Sequence, residues 1–228
     1  MGRYISGSDQ PRRQLVRLTA SAPTQAIPSW ATVVYISGCG GGGSGGLSST
    51  TTEEGGGGGS GGYATNLLAR IPTGITTMNV TVGAGGAAVT STIAATGNSG
   101  GTTSIAMSGY PTVTLTGGAG GTGAGSGGAA GRAFLGAALV ATLSQVDVAG
   151  LSLGATGRNG TLGLSGEGGQ SPYGSLGAEV YAPDDNHNGS DAAGYGAGGS
   201  GGNNTSGTSR TSGAGAPGFV VLEFVEAV

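Results

Sequence analysis

The side chains best able to do chemistry lie in one short segment near the C-terminal end of the chain. The hexapeptide Asp-Asp-Asn-His-Asn-Gly at 184–189 has oxygen ligands at alternate positions before a glycine, as the opening of a calcium-binding loop does. The ending of such a loop is missing, because its twelfth position is Tyr195 instead of a bidentate glutamate. The segment therefore predicts either a weak site for Ca²⁺ or a sugar hydroxyl, at Asp184, Asp185 and Asn188, or a polar surface turn.

Other catalytic patterns are weak or incomplete. The chain has one histidine, His187, without a serine in a nucleophile elbow, and it contains no lysine for a phosphate-binding loop. Glycines 38–43 fit a dinucleotide fingerprint formally, but more glycine follows them where that site needs a helix. A carbohydrate-active enzyme would have to use Glu167 with Glu179 or Asp184, and release of reducing sugar would reveal it. We expect a protein that is not an enzyme and that has no cofactor and no metal.

Residues 167–195 are richer in aromatic and polar side chains than the sequence around them. Loops on a rigid scaffold commonly carry recognition, and tyrosine among small polar residues binds at low entropy cost. Stretches 47–54 and 203–210 are lesser candidates of the same kind, and ordinary connections with chance tyrosines are the alternative. The residues predicted to make a recognition surface are Tyr173, Tyr181, Asp184, Asp185, His187 and Tyr195.

Glycine makes up 55 of the 228 residues, which excludes an ordinary packed core over much of the length. The runs keep no collagen period, so we predict a bundle of polyproline II-like helices. Such helices have no internal hydrogen bonds, and only glycine lets their backbones approach closely enough to bond each other. A nine-residue run would span about 28 Å. The predicted runs are 38–46, 55–62, 117–131 and 194–202.

Short β-branched stretches bracket the glycine runs and predict strands. The fold class is therefore all-β: a glycine-rich sandwich of polyproline II-like helices bracketed by short β-strands. Residues 133–143 are the one stretch with a fair claim to helix, and a strand at 139–148 competes with it. The predicted strands are 13–19, 31–37, 75–82, 102–107, 112–116 and 219–225.

Charge separates the two ends of the chain. The sequence has eight Arg or Lys and eleven acidic residues, a formal net charge of −3, which disfavours nucleic-acid binding. Arg3, Arg12, Arg13 and Arg17 predict an attachment arm at 1–29, before a glycine-rich domain at 30–228; a solvated first strand is the alternative. Residues 1–10 lack the apolar core of a signal peptide. Cys39 lies among glycines and is interpreted as a small filler.

Four stretches follow one another in a distinctive order. They are a strand that runs into poly-glycine at 33–46, Gly-Gly-Tyr-Ala at 61–64, Met-Asn-Val-Thr-Val-Gly-Ala-Gly-Gly at 78–86 and Gly-Ala-Pro-Gly-Phe-Val-Val-Leu-Glu-Phe at 215–224. This order resembles the glycine-rich tail and tail-fibre proteins of bacteriophages. In the related distal adhesins of T-even-like phages, glycine helices pack in a sandwich and the loops between them bind host receptors. Glycine is less dense across 132–190 than in those adhesins.

The resemblance implies a tail-fibre or tail-tip protein of the virion, synthesised in the host cytoplasm. The N-terminal arm would meet other tail proteins, loops would contact an outer-membrane protein or surface glycan, and a homotrimer would suit fibre symmetry. Two alternatives stay open. One is an internal tail component without receptor contact. The other is an ice-binding protein of polyproline II type, which regularly spaced threonines would favour.

Overall fold

The computed structural model describes residues 11–136, 150–161, 163–181 and 186–226, and these residues form an all-β protein. The predicted fold class is thereby confirmed at that level. The described residues contain no helix long and apolar enough to span a membrane. The strands, in chain order, are β1 Arg13–Leu18, β2 Ala22–Ala26, β3 Val33–Cys39, β4 Leu47–Ser48, β5 Tyr63–Arg70, β6 Thr77–Thr81, β7 Thr90–Ser91, β8 Thr103–Ala106, β9 Val113–Leu115, β10 Ala133–Leu135, β11 Leu151–Ser152, β12 Gly174–Ser175, β13 Asn186–His187, β14 Ala193–Gly194, β15 Gly202–Asn204, β16 Arg210–Thr211 and β17 Phe219–Val225.

Two antiparallel five-stranded sheets form the conventional part of the molecule, which we call the β-sandwich. Their strand orders are β1-β17-β3-β5-β11 and β10-β9-β8-β6-β2. Alternate residues along the strands point into one apolar core, as a half-buried antiparallel sheet requires. Val34, Leu67 and Phe224 from the first sheet and Val80 and Leu115 from the second are all fully buried.

The first two strands are the outer strands of the two sheets. β1 pairs with β17 through register Arg13↔Val225 to Leu18↔Val220, and β2 pairs with β6 on the other sheet. Val16 and Leu18 also pack against the apolar core. Residues 13–26, from the segment predicted as an arm, therefore lie within the β-sandwich.

Glycine segments continue from the ends of these strands and form a second region, which we call the glycine bundle. Segment 40–46, which follows β3, shows how it is held. Its backbone amides donate to the carbonyls of three neighbouring segments in turn. The amides of residues 40, 43 and 46 donate to the carbonyls of residues 62, 59 and 56 in the first segment. Those of 41 and 44 donate to 101 and 98 in the second, and those of 42 and 45 donate to 216 and 213 in the third. The hydrogen bonds thus repeat every third residue, each time toward a different antiparallel neighbour. That period is the one a polyproline II helix has, and polyproline II geometry itself stays a prediction.

Segments 40–46, 55–62 and 196–202 form the buried interior of the glycine bundle. Segment 55–62 donates with the same three-residue repeat, to segments 116–122, 155–158 and 196–202. A Cβ atom on Gly45 would overlap the carbonyl oxygen of Ser200, so the close approach itself requires glycine there. The predicted run 117–131 doubles back on itself, since the amide of Ala119 donates to the carbonyl of Ala129.

The six strand predictions hold, whereas the candidate helix at 133–143 is wrong over its first three residues. All six predicted strands are present, and β17 has the predicted bounds. Residues 133–135 form β10, whose ladder with β9 satisfies backbone groups that a helix would have satisfied internally. The rest of the predicted helix, and the competing strand at 139–148, lie outside the described residues. Among the strands of five or more residues, β2 and β5 were not predicted.

Candidate functional site

Loops gather at the end of the glycine bundle that lies farthest from the β-sandwich. Residues 40 and 62 adjoin strands β3 and β5, whereas residues 46 and 56, which are bonded to each other, lie six residues further along the two segments. Loops 47–54, 87–96 and 203–211 begin or end close to residues 46 and 56. They pair with one another and with β13 through two small sheets, β13-β15-β4 and β16-β7. We call these three loops together with β13 the distal tip.

A buried contact between a histidine and a glutamate joins two parts of the distal tip. The Nε2 atom of His187 lies 2.9 Å from the Oε2 atom of Glu54, and the side chains are 6% and 1% exposed. The Nδ1 atom of His187 lies 3.3 Å from the carbonyl oxygen of Asn188. Both ring nitrogens therefore lie within hydrogen-bond distance of an oxygen atom, and these two contacts fix the orientation of the ring. His187 holds loop 47–54 in place and is not available at the surface.

Asparagine side chains fix the turns of the distal tip. The Oδ1 atom of Asn186 accepts hydrogen bonds from the amides of Thr205 and Ser206, at 3.0 and 2.9 Å. The Oδ1 atom of Asn188 accepts from the amide of Thr211 at 2.9 Å. Asn203 Nδ2 donates to the carbonyl of Thr50 at 3.2 Å. Asparagine suits this use because its short amide side chain can satisfy nearby backbone groups. These hydrogen bonds tie the loops of the distal tip to one another.

The outer surface of the distal tip is made mostly of hydroxyl-bearing side chains. Residues 49–53 and 206–209 are exposed, and they consist of serine, threonine, one glutamate and one glycine. Ile93 is 68% exposed beside them in loop 87–96. Arg210 of β16 is half-buried. Such a surface can offer hydrogen bonds, one apolar contact and one positive charge to a ligand.

Tyr173 and Tyr195, both predicted to bind a receptor, lie away from the distal tip. Both pack against Phe219 at the start of β17, with ring centroids 4.8 and 4.6 Å from the centroid of the Phe219 ring. Tyr173 donates from its hydroxyl to the carbonyl of Ala64 at 2.6 Å, and burial raises its pKa. Arg17 Nη2 donates to the Tyr195 hydroxyl at 3.0 Å and lies over the ring. These residues brace the junction of the two regions.

The other predicted residues fall in several places. Tyr181 is 70% exposed and bridges to Leu164. Arg12 lies 3.7 Å from Glu226 and Arg13 3.0 Å from Glu223. Within the described residues, no three histidine, cysteine, aspartate or glutamate side chains gather as a metal site would need. Three predicted residues, Arg3, Asp184 and Asp185, lie outside the described residues.

Two further candidate residues have other roles in the structure. Glu167, named for a carboxylate pair, lies 3.2 Å from Arg158. Cys39 is fully buried at the end of β3, and burial raises the pKa of its thiol to about 12. A thiol in that state is a poor nucleophile, because the thiolate is the reactive form.

Comparison with known proteins shows which family the chain belongs to. The family model described as glycine-rich domain matches residues 18–225, which include both the β-sandwich and the glycine bundle. The chain belongs to the glycine-rich domain family. No curated protein matches it. The sequence indicates loops 47–54 and 203–210 as lesser candidates for recognition, whereas loop 87–96 has no signal of that kind beyond its threonines and serines.

Proposed function

We propose that this glycine-rich domain protein is a structural and receptor-binding component of a bacteriophage tail or tail fibre. The observation that carries the proposal is the gathering of loops 47–54, 87–96 and 203–211 at one end of a bundle whose interior is backbone hydrogen-bonded to backbone. Side chains on such a scaffold are held in fixed positions, which lowers the entropy cost of binding. The contact would be with an outer-membrane protein or a surface glycan of the host.

The β-sandwich would form the other end of the working molecule and meet other tail proteins. Arg12, Arg13 and Arg17 lie there, on or beside β1. Several copies on one virion, for example in homotrimeric fibres, would make weak single contacts sufficient through avidity. The virion would be the site of action after synthesis in the host cytoplasm.

Binding of purified protein to cells of a susceptible and a resistant bacterial strain tests the proposal. A distal variant replaces Thr51, Ile93, Thr208 and Ser209 by alanine, and a matched variant replaces the exposed Thr102 and Thr156 on the sides of the bundle. We expect binding to the susceptible strain only, lost in the distal variant and retained in the matched one. A folded protein that binds neither strain would instead favour an internal tail component.

One observation favours a second candidate function. Thr96, Ser99 and Thr102 are exposed at a constant spacing of three residues along one outer segment. Regularly spaced hydroxyls of this kind are the feature expected of an ice-binding protein of polyproline II type. Thermal hysteresis at millimolar protein concentration would support that function, and freezing at the equilibrium point would exclude it.

A further inference from the structure

β1 is an outer strand of the β-sandwich and offers one side to a further strand. β17 pairs with it without interruption, and within the described residues no strand pairs with its other side. The amide of Glu226 donates to the carbonyl of Arg12, and hydrogen-bonded pairs alternate along an antiparallel ladder. The backbone N–H and C=O groups of Arg13, Leu15 and Arg17 therefore point away from β17.

The other three outer strands of the two five-stranded sheets are protected against such pairing. β10 has three residues and β11 has two, and short edge strands resist the addition of another strand. β2 contains Pro23, and its register shifts between Ala22 and Gln25. Proline and bulges also keep edge strands from pairing. β1 has six residues, without proline and without a register shift. Of these four described strands, β1 is thus the one that can pair along its whole length.

The side chains of β1 that face outward decide what can pair there. Arg13, Leu15 and Arg17 lie on the outer face of the sheet, since Val16 and Leu18 pack against the core. All three are exposed, and Leu15 is 69% exposed between the two arginines. Charged side chains alone would protect an edge strand. An exposed leucine at the centre of the strand works against that protection and suits an apolar contact.

The charges favour an acidic partner over a second copy of β1. Two antiparallel β1 strands centred on Leu15 would set Arg13 of one copy opposite Arg17 of the other, and like charges directly opposite are destabilising. Acidic side chains at both positions would form cross-strand ion pairs instead. Within the described residues Arg17 makes no ion pair and donates to the neutral hydroxyl of Tyr195. Arg13 contacts Glu223, yet its side chain is 65% exposed.

We propose that β1 binds an extended segment of another protein as an added antiparallel strand, with an apolar residue opposite Leu15 and an acidic residue two positions to either side. Main-chain hydrogen bonds to Arg13, Leu15 and Arg17 supply the affinity of such a complex, and the alternate side chains supply its specificity. The inference rests on the proposed function, since it names the chemistry of the tail protein that the β-sandwich would meet.

Titration of the full chain with a synthetic peptide tests the edge. The probe is acetyl-Ser-Glu-Thr-Leu-Thr-Glu-Ser-amide, and its matched control carries lysine at both glutamate positions. We expect the glutamate peptide to bind at least about tenfold more tightly, because opposite charges then face Arg13 and Arg17. N-methylation of the peptide leucine, whose amide faces β1, should abolish binding. N-methylation of the threonine that follows it, whose amide faces away, should be tolerated.

A proline variant changes the edge without touching the pairing with β17. The amide of Leu15 points outward, and proline is tolerated on an edge strand where the missing N–H would face solvent. Leu15→Pro should lose peptide binding, whereas Leu15→Thr, which keeps the amide, should weaken it much less. Circular dichroism and Tm show whether both variants are folded. In the wild type, the peptide should slow hydrogen exchange at the amides of Arg13, Leu15 and Arg17.

Several outcomes would overturn the proposal. They are failure of the glutamate peptide to bind, equal binding of the lysine peptide, tolerance of both N-methylated peptides, and slowed exchange elsewhere than in β1. Self-association of the full chain that Leu15→Pro abolishes would identify a second copy as the partner instead. Binding to susceptible cells without peptide binding would refute this edge site and leave the receptor-binding function intact. Peptide binding by a chain that does not bind cells would do the reverse.

Discussion

The β-sandwich and the glycine bundle both pair their buried backbone groups, but they differ in what fills the space between the paired segments. In the β-sandwich, backbone groups pair within sheets and side chains such as Phe224 and Leu222 fill the space between them. In the interior of the glycine bundle, segments pair on several sides at once, and this leaves no room for side chains at positions such as Gly45. We therefore expect the β-sandwich to be destabilised by loss of side-chain volume and the glycine bundle to be destabilised by its addition.

A single methyl group inside the glycine bundle should have the largest effect. Gly45→Ala forces a Cβ atom onto the carbonyl oxygen of Ser200, and backbone cannot move aside as a flexible side chain can. We expect the variant to be unfolded or insoluble, by circular dichroism and solubility after expression. The matched replacement Gly136→Ala, where the nearest atom is 3.7 Å away, should change stability by less than about 0.5 kcal/mol. Equal behaviour of the two variants would contradict the close packing.

Loss of volume should be the damaging change in the β-sandwich. Phe224→Ala removes a fully buried side chain from β17, and the resulting cavity should cost about 4 kcal/mol in the free energy of unfolding. Denaturant unfolding measures it. The exposed Phe134→Ala serves as control and should cost much less. A loss below about 1 kcal/mol for Phe224→Ala would mean that this core does not carry the stability of the region.

The distal tip sharpens the comparison, because a buried side-chain pair, His187 with Glu54, takes the place of both glycine and apolar packing there. Glu54→Ala leaves the buried His187 without its hydrogen-bond partner and should cost about 3 kcal/mol in the free energy of unfolding. Hydrogen exchange should show the loss in loops 47–54 and 203–211 before it appears in the β-sandwich. The neighbouring exposed Glu53→Ala should be nearly neutral. Uniform loss of protection across the chain would argue against a locally held tip.

Alkaline pH should destabilise mainly the β-sandwich, including the end of β3 where the glycine bundle begins. Burial raises the pKa of Cys39 from 9.0 to about 12 and that of Tyr110 from 10.0 to about 12. Because the folded state keeps these protons longer than the unfolded chain does, the stabilisation is complete below about pH 9 and is lost as pH rises toward 12. Melting temperatures should fall in that window, and less steeply in Cys39→Ala. A fall that begins well below pH 9 would have another cause.

The sequence predicted those elements whose signal is local. In β6, β9 and β17, apolar and polar residues alternate or β-branched residues follow one another, and both patterns predict a strand. β5 was not, because Asn66 takes a positive φ of 50° and the register shifts between Ile36 and Gly38. That irregularity places two exposed residues in succession and breaks the alternation.

The candidate site was only partly predictable, because its members meet through chain reversals. Between Tyr173 and Tyr195 the chain runs out from the junction with the β-sandwich and back, so neighbours in sequence separate in space. The pairing of Glu54 with His187 spans 133 residues and has no local signature. Clusters of similar side chains in sequence therefore overestimated what the fold brings together.

The smallest predicted effect tests why serine interrupts the glycine runs. Ser60 is fully buried, and its Oγ atom accepts a hydrogen bond of 2.7 Å from the amide of Ala155, where no backbone carbonyl takes that role. Ser60→Ala keeps a Cβ atom that already fits and removes only the acceptor, so the unpaired amide should cost about 2 kcal/mol. Thermal or denaturant unfolding measures this loss, and the exposed Ser99→Ala should show none. If Ser60→Ala were neutral, the serine would be present only for its size. The predicted loss would mean that the interior of the glycine bundle depends on the pairing of its backbone amides, as the β-sandwich depends on its buried side chains.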